Sequence, residues 1–259
     1  MRTRALDVGA PLAALVVLVV AWQLYATSGA VDTLLLPAPT DVLAALRDDR
    51  ALLWRNFLVT ATEMGLGLLV AAVVGPAIAV AIHVSARVRR TAWPLLLGSQ
   101  TIPIVLVAPL LVAWFGFDTR PKVIVVALVC FFPITVAVAA GLRSADPDQL
   151  KLLRSLGASR LAVLRWVELP GALPSLLTGT RLAVGVAAIA AVLAEQAGGD
   201  AGRGGLGQTT TQAVAQLETP RAYAAVVVLT AFSLLLFSGV GLLGRRLAPW
   251  AHQERGPLT

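Results

Sequence analysis

Val123-Ile-Val-Val-Ala-Leu-Val-Cys130-Phe-Phe-Pro133-Ile-Thr135-Val-Ala-Val-Ala-Ala-Gly-Leu142 carries no charged side chain from end to end. A helix of that length rises about 30 Å, the thickness of the hydrocarbon core of a bilayer. Soluble helices of this size alternate polar and apolar faces, and this one has no polar face to offer water. Pro133 would break a water-exposed helix, whereas in a membrane bundle neighbouring groups can re-satisfy the freed carbonyl.

Five further stretches meet the same requirement: Ala10–Gly29, Phe57–Ile82 and Ala92–Gly116 upstream, Ala172–Ala194 and Ala222–Gly244 downstream. The second contains Glu63 and the fifth Arg181; the others hold no charge. Pro76, Pro103 and Pro109 fall inside them, as Pro133 does in the fourth. The expected fold is an all-α membrane protein with about six transmembrane helices. Residues 1–56 form a first span and an outer entry segment, 57–250 a five-span core, and 251–259 a cytoplasmic tail. Composition agrees, with 58% hydrophobic and 14% charged residues, against about 45–50% and 25% in soluble domains. Mean hydropathy is +0.81. A soluble domain or soluble enzyme is excluded.

The net charge is +7 and the pI about 10.9, values that suggest nucleic acid in a soluble protein. Here Lys and Arg sit between apolar blocks and set topology instead, so no nucleic-acid partner is expected. Connections on the side of both termini hold 13 of them, and those on the opposite side hold 7. Both termini are therefore expected in the cytoplasm. Arg2 and Arg4 before an apolar run also fit a signal peptide, though no clear cleavage site follows.

The connection between spans four and five, residues 143–171, is the longest cytoplasmic one. Asp146-Pro147-Asp148-Gln149 reads as a helix start, with Asp146 at the N-cap, Pro147 at N1 and Gln149 reaching back as in a capping box. That helix should end near Leu156, with Gly157 supplying a left-handed turn. Ser159 can cap a second helix, closed at Leu169-Pro170 because proline disfavours helical geometry in the residue before it. The result is a knob whose apolar residues, Leu152, Leu153, Leu156, Leu161, Val163 and Leu164, exceed what a solvated connector needs. It either packs on its own bundle or docks a cytoplasmic partner.

This stretch resembles the cytoplasmic signature of ABC importer permeases: Glu-Ala-Ala, three residues, Gly, nine residues, Ile, one residue, Leu-Pro. Gly157, Val167 (for Ile), Leu169 and Pro170 fall at its offsets, while Lys151-Leu152-Leu153 replaces the opening triplet. Elsewhere Leu36-Pro-Ala-Pro-Thr-Asp41, Trp114-Phe-Gly-Phe117, Thr178-Gly-Thr-Arg-Leu182 and Ala194-Glu195 resemble the nitrate/sulfonate/taurine group. Thr60-Ala-Thr-Glu63, Gln100-Thr-Ile-Pro103 and Cys130-Phe-Phe-Pro133 resemble permeases for thiamine-pyrimidine precursors within it. The resemblance implies a type I importer bundle in a bacterial inner membrane, paired with a second copy of itself. It also implies a cytoplasmic ATPase dimer that holds ATP and Mg, and a periplasmic or lipid-anchored solute-binding protein. This chain would bind no cofactor and catalyse nothing. The ATPase-coupling loop would comprise Leu150, Lys151, Leu152, Leu153, Arg154 and Leu156, then Gly157, then Ala158, Ser159, Arg160 and Leu161, with Val167, Leu169 and Pro170 behind them.

Glu63, Arg181 and Glu195 are the charges within or at the ends of spans, where unpaired charge is costly and marks pathways. Arg181 either pairs with an acid such as Glu63, snorkels to the cytoplasmic interface, or touches substrate. Glu195, at the outer end of span five, suits a cap or gate better than binding. Glycines at 198, 199, 202, 204, 205 and 207 superficially suggest a phosphate cradle, but no Gly-Lys follows. A flexible loop before a short outer helix, Gln208 to about Leu217, fits better. The small residues from Gly179 to Ala194 allow close helix contact, in the bundle or at a dimer face. His83, His252 and Cys130 have no metal-ligand spacing or catalytic pairing. An ion-driven secondary transporter is the rival reading; it needs paired acids at broken helices, and only Glu63 is a candidate.

Overall fold

The computed structural model describes residues 2–198 and 204–252, with side chains placed for 13–198 and 204–250. Eleven α-helices follow one another, and no strand occurs among the described residues: α1 Arg2–Thr27, α2 Pro39–Asp48, α3 Arg50–Val84, α4 Ala86–Ser99, α5 Ile104–Phe115, α6 Thr119–Arg143, α7 Pro147–Ser155, α8 Arg160–Val163, α9 Leu169–Ala197, α10 Leu206–Ala215 and α11 Thr219–Leu247. Four continuous helical segments are long and apolar enough to cross a membrane: α3, α6, α11, and Arg160–Ala197, which takes in α8 and α9. The apolar part of α1 whose side chains are described, Ala13–Thr27, is shorter.

The expected third span differs. In place of one helix over Ala92–Gly116, α4 and α5 meet at 97°. Pro103 forces Ile102 out of helical geometry and has no N–H to continue the ladder. The last carbonyls of α4 are met locally: Ser99 Oγ donates to Leu96 O at 2.7 Å, Thr101 Oγ1 to Gly98 O at 2.8 Å, and Gln100 N to Leu97 O at 3.2 Å.

Helix α6 lies between α3 and α9 and is the centre of the core. Met64, Leu68 and Ala71 of α3 pack on Val125, Val126, Cys130 and Ile134 of α6, which in turn meet Ala183, Val184, Ala187 and Ala191 of α9. Bilayer lipid is as apolar as these side chains, so association rests on close packing. Glycines permit it. A Cβ on Gly67 would stand 2.6 Å from Val126 Cβ and 3.2 Å from Ala127 N, and one on Gly179 would stand 3.1 Å from Ile134 Cα. The small residues between Gly179 and Ala194 thus serve bundle packing on one face of α9.

At the far end of α3 a second cluster joins α2, α3, α10 and α11 through Val42, Leu53, Leu206, Ala224 and Ala225. Arg221 bridges Asp49 and Glu218 there, with Nε 2.6 Å and Nη2 3.1 Å from the Asp49 oxygens. Trp22 donates to Pro37 O at 3.1 Å and anchors α1.

Gly67→Val is expected to destabilise the protein by about 1–3 kcal/mol through overpacking. Gly65, two residues away, has nothing within 4 Å of an added Cβ, and Gly65→Val should leave stability within about 0.5 kcal/mol. Thermal unfolding in detergent measures both; equal melting temperatures would contradict this account of the α3–α6 contact.

Candidate functional site

The knob is built from local rules. Asp146 accepts from Asp148 N at 2.9 Å and Pro147 occupies N1, so α7 starts where its sequence requires. Gln149 makes no return bond, so the cap is a single Asp contact and not the expected capping box. At the far end Ala158 N donates to Leu153 O and Gly157 N to Arg154 O, both at 3.0 Å, a Schellman pair around Gly157 at φ 75°. Ser159 Oγ then accepts from Ala162 N at 3.3 Å and opens α8.

The expected stop at Leu169-Pro170 is absent. Leu164–Glu168 form a π-helical turn that carries the chain from α8 into α9 without a break. Leu169 N reaches back to Leu164 O, and this wider turn accommodates the ring of Pro170, which an α-helical turn would push against a carbonyl. The knob is thereby continuous with a core helix. His83, at the end of α3, contacts Glu168 at 3.0 Å and clasps the same junction. Leu152, Leu156, Leu161 and Trp166 are 61%, 74%, 71% and 72% exposed, so these side chains do not pack on their own bundle. Leu150, Lys151 and Arg154 lie on α7, Arg160 on α8, and Val167 in the π turn.

A second assembly is buried where α3, α6, α9 and α10 meet. Glu195 Oε1 accepts from Thr60 Oγ1 at 2.6 Å, and Oε2 accepts from Gly207 N at 2.6 Å and Gln208 N at 3.3 Å. Thr60 Oγ1 also accepts from Leu206 N at 2.9 Å. The N-terminus of α10 has no side-chain cap of its own, so Thr60 and Glu195 supply one from other helices, with the carboxylate at the positive end of its dipole. Asn56 Nδ2 donates to Thr209 Oγ1 at 2.7 Å and holds the next turn. Any side chain on Gly205 would strike the Glu195 carboxylate, and a Cβ on Gly207 would lie 2.8 Å from Val192 Cα. Gly205 and Gly207, at the start of α10, are there for close approach, not for flexibility; residues 199–203 lie outside the described region.

Glu63 does not pair with Arg181. Its Oε1 lies 3.0 Å from Nζ of Lys122, and both side chains are almost fully buried. The contact is an ion pair without hydrogen-bond geometry, since neither Glu63 oxygen has a hydrogen-bond partner. Arg181 instead places its guanidinium 5.4 Å from the Phe237 ring centre, beside Gly241 of α11, where any larger residue would displace it. Lys122 reads as a loop cation in the sequence because it precedes the apolar run by one residue. The signal for this assembly was the Thr60–Glu63 spacing, which puts a hydroxyl and a carboxylate on one face of a helix.

Removing one partner of a buried ion pair costs about 3–5 kcal/mol because the other charge remains. Lys122→Met should therefore lower the amount of folded protein in membranes sharply, and Glu63→Gln in the same chain should recover most of it. Arg181→Ala should show no such rescue by Glu63→Gln. Quantitative immunoblotting of membranes decides; a double variant no better than Lys122→Met alone would refute the pairing.

Comparison with known proteins agrees with this geometry. Residues 64–250 match the family described as binding-protein-dependent transport system inner membrane component. The chain is 33% identical to the formylaminopyrimidine transport permease protein of Halalkalibacterium halodurans, over 85% of this chain and 87% of that one. It is 34% identical to the taurine transport system permease protein of Escherichia coli, over 93% and 88%. The fold matches a chain of the MetNI methionine ABC transporter in an inward-facing conformation, with a TM-score of 0.68, 18% identity, and coverage of 77% of this chain and 98% of that one. A multi-pass helical bundle with a helix–glycine–helix loop at the family's spacing is thus a permease subunit of an ABC importer, not itself an ATPase, and the chain belongs to the family of binding-protein-dependent transport system inner membrane components.

Proposed function

We propose that two copies of this chain line a path through a bacterial inner membrane, with both termini and the α7–Gly157–α8 knob in the cytoplasm. The family implies ATPase and solute-binding partners; we assign the knob to the ATPase and the opposite face, around α2 and α10, to the binding protein. The observation that carries this reading is the exposure of Leu152 and Leu156 on and beside α7 and of Leu161 on α8, the last on a segment continuous with α9. An exposed apolar patch of that kind is an interaction surface. ATP binding would close the ATPase pair, move the Leu150–Leu161 region of each subunit, and open the path outward. Only a contact that differs between the two states can shift their populations, and the knob is where such a contact is made.

The α4–α5 elbow supports the placement of the path. Irregular backbone at membrane depth is tolerated only where it is buried or lines a water-filled cavity. Here Ser99 and Gln100 are the polar residues in a cleft of about 430 Å³ whose other walls are apolar, among them Ile104, Val129 and Phe131. Two neutral polar groups on an apolar wall suit a small solute with both kinds of surface. A thiamine pyrimidine precursor and a taurine-like sulfonate are the two candidates, in line with the names of relatives at 33% and 34% identity.

Reporter fusions after Arg90, at Ser159 and at the C-terminus should report cytoplasm, and fusions at Asp118 and Gln216 the outside. An outside signal at Ser159 would overturn the orientation and the docking role together.

Gly157→Val forces a β-branched residue into left-handed geometry, yet nothing lies within 4 Å of an added Cβ, so the strain stays in the knob. Leu161→Asp removes an exposed apolar contact. Both variants should insert normally and lose co-purification with the ATPase, or lose ATP hydrolysis stimulated by the loaded binding protein in proteoliposomes. Uptake of formylaminopyrimidine or taurine should fall in parallel. Wild-type coupling in both variants would make the loop a passive connector.

A further inference from the structure

The Gly157 turn carries a guanidinium on each side: Arg154 lies in the last turn of α7 and Arg160 opens α8. Both line a cleft of about 640 Å³ between the knob and the end of α3, together with His83, Val84, Leu161 and Glu168. Glu168 is already engaged with His83 at 3.0 Å. Lys151 is engaged with Asp148 at 3.0 Å, on a side where both are largely exposed. Among the described residues, neither Arg154 nor Arg160 has a carboxylate partner. Two cations therefore face a cleft whose only acid is already engaged, beside the exposed Leu161.

We propose that this cleft receives a carboxylate-bearing segment of the partner ATPase, so that the docking face of that ATPase is acidic. The proposal rests on the reading that the knob docks the ATPase and adds the sign of charge on the other side. Arginine presents a planar fork that matches a carboxylate in two parallel hydrogen bonds. Two such forks across one glycine turn hold an acidic segment in register, while Leu161 and Val84 cover its apolar atoms. Lys151 adds nothing to this pattern, because Asp148 engages it at 3.0 Å; Arg154 and Arg160 carry the charge that faces the cleft. Like-charged partners would be rejected, which gives the subunit a means of choosing its own ATPase among others in the cell.

The test uses the full permease in phosphatidylcholine nanodiscs, titrated with its ATPase at about 50 and about 300 mM NaCl, a range over which exposed charges become strongly screened. For the wild type, Kd should rise with salt. Arg154→Gln with Arg160→Gln should raise Kd roughly tenfold at low salt and flatten the salt dependence. Arg154→Glu with Arg160→Glu should abolish binding, and Arg154→Lys with Arg160→Lys should keep the salt dependence. Arg154, Arg160 and Leu161 all project from an exposed knob, so folding is not at issue. The proposal is overturned if the Gln and Glu pairs bind with unchanged Kd and salt dependence while Leu161→Asp still weakens binding. If Leu161→Asp also leaves Kd unchanged, the docking role of the knob itself fails, and this inference with it.

Discussion

The close approach of three helix backbones organises this protein. With lipid as apolar as any side chain, α3, α6 and α9 gain little from burying leucine, and they gain from contact without gaps. Gly67 lets α3 settle on Val126, and Gly141 and Gly179 let α9 settle on α6 from the other side. A Cβ on Gly141 would lie 3.1 Å from Ala172 Cα, so this contact is nearly backbone on backbone. Everything outside the slab is hung from it: the α4–α5 elbow, the ring of α2 and α10, and the knob.

Two kinds of polar construction then sit at opposite ends. In the buried one, groups from different elements meet each other, with Thr60 and Glu195 capping α10 and Lys122 facing Glu63 as an ion pair. It fixes the position of a short helix that has no cap of its own. The exposed construction does the reverse. Its backbone is satisfied internally, through Asp146, Gly157 and Ser159, and its side chains are left open. Leu152, Leu156 and Leu161 stay exposed there, and the π turn joins α8 to the core helix α9 without a break.

Elements governed by local chemistry were legible in the sequence. The apolar runs gave the spans of α3, α6, α9 and α11, and Asp146-Pro147 and Gly157 marked α7 because caps and left-handed turns depend on a few adjacent residues. The third span was misread since a 25-residue apolar run does not say where a proline will bend it, and the flanking Ser99 and Thr101 become informative only once their carbonyl partners are known. Pro170 was misread for a related reason: proline forbids an α-helical hydrogen bond, not a helix, and a π turn avoids the conflict. Partnership between distant charges was not legible at all. Arg181 is the partner the sequence offers Glu63, and only the packing of α6 beside α3 selects Lys122 instead. Glu195 was readable as a residue at a helix end, but its ligands come from two segments that no local pattern connects.

The Glu63–Lys122–Glu195 assembly also bears on how the chain is made. Synthesis runs from the N-terminus, so the helix bearing Glu63 is delivered to the membrane first, and Lys122 arrives next to find a carboxylate waiting. A charge left alone within a membrane bundle is costly. Lys122 can meet that cost once α6 lies beside α3. Glu195 emerges later, and its donors on α10, Gly207 and Gln208, follow it by 12 and 13 residues. Helix α10 is therefore made after α3, α6 and α9, the helices it fastens, and before α11, so the chain order of the charges doubles as an order of synthesis.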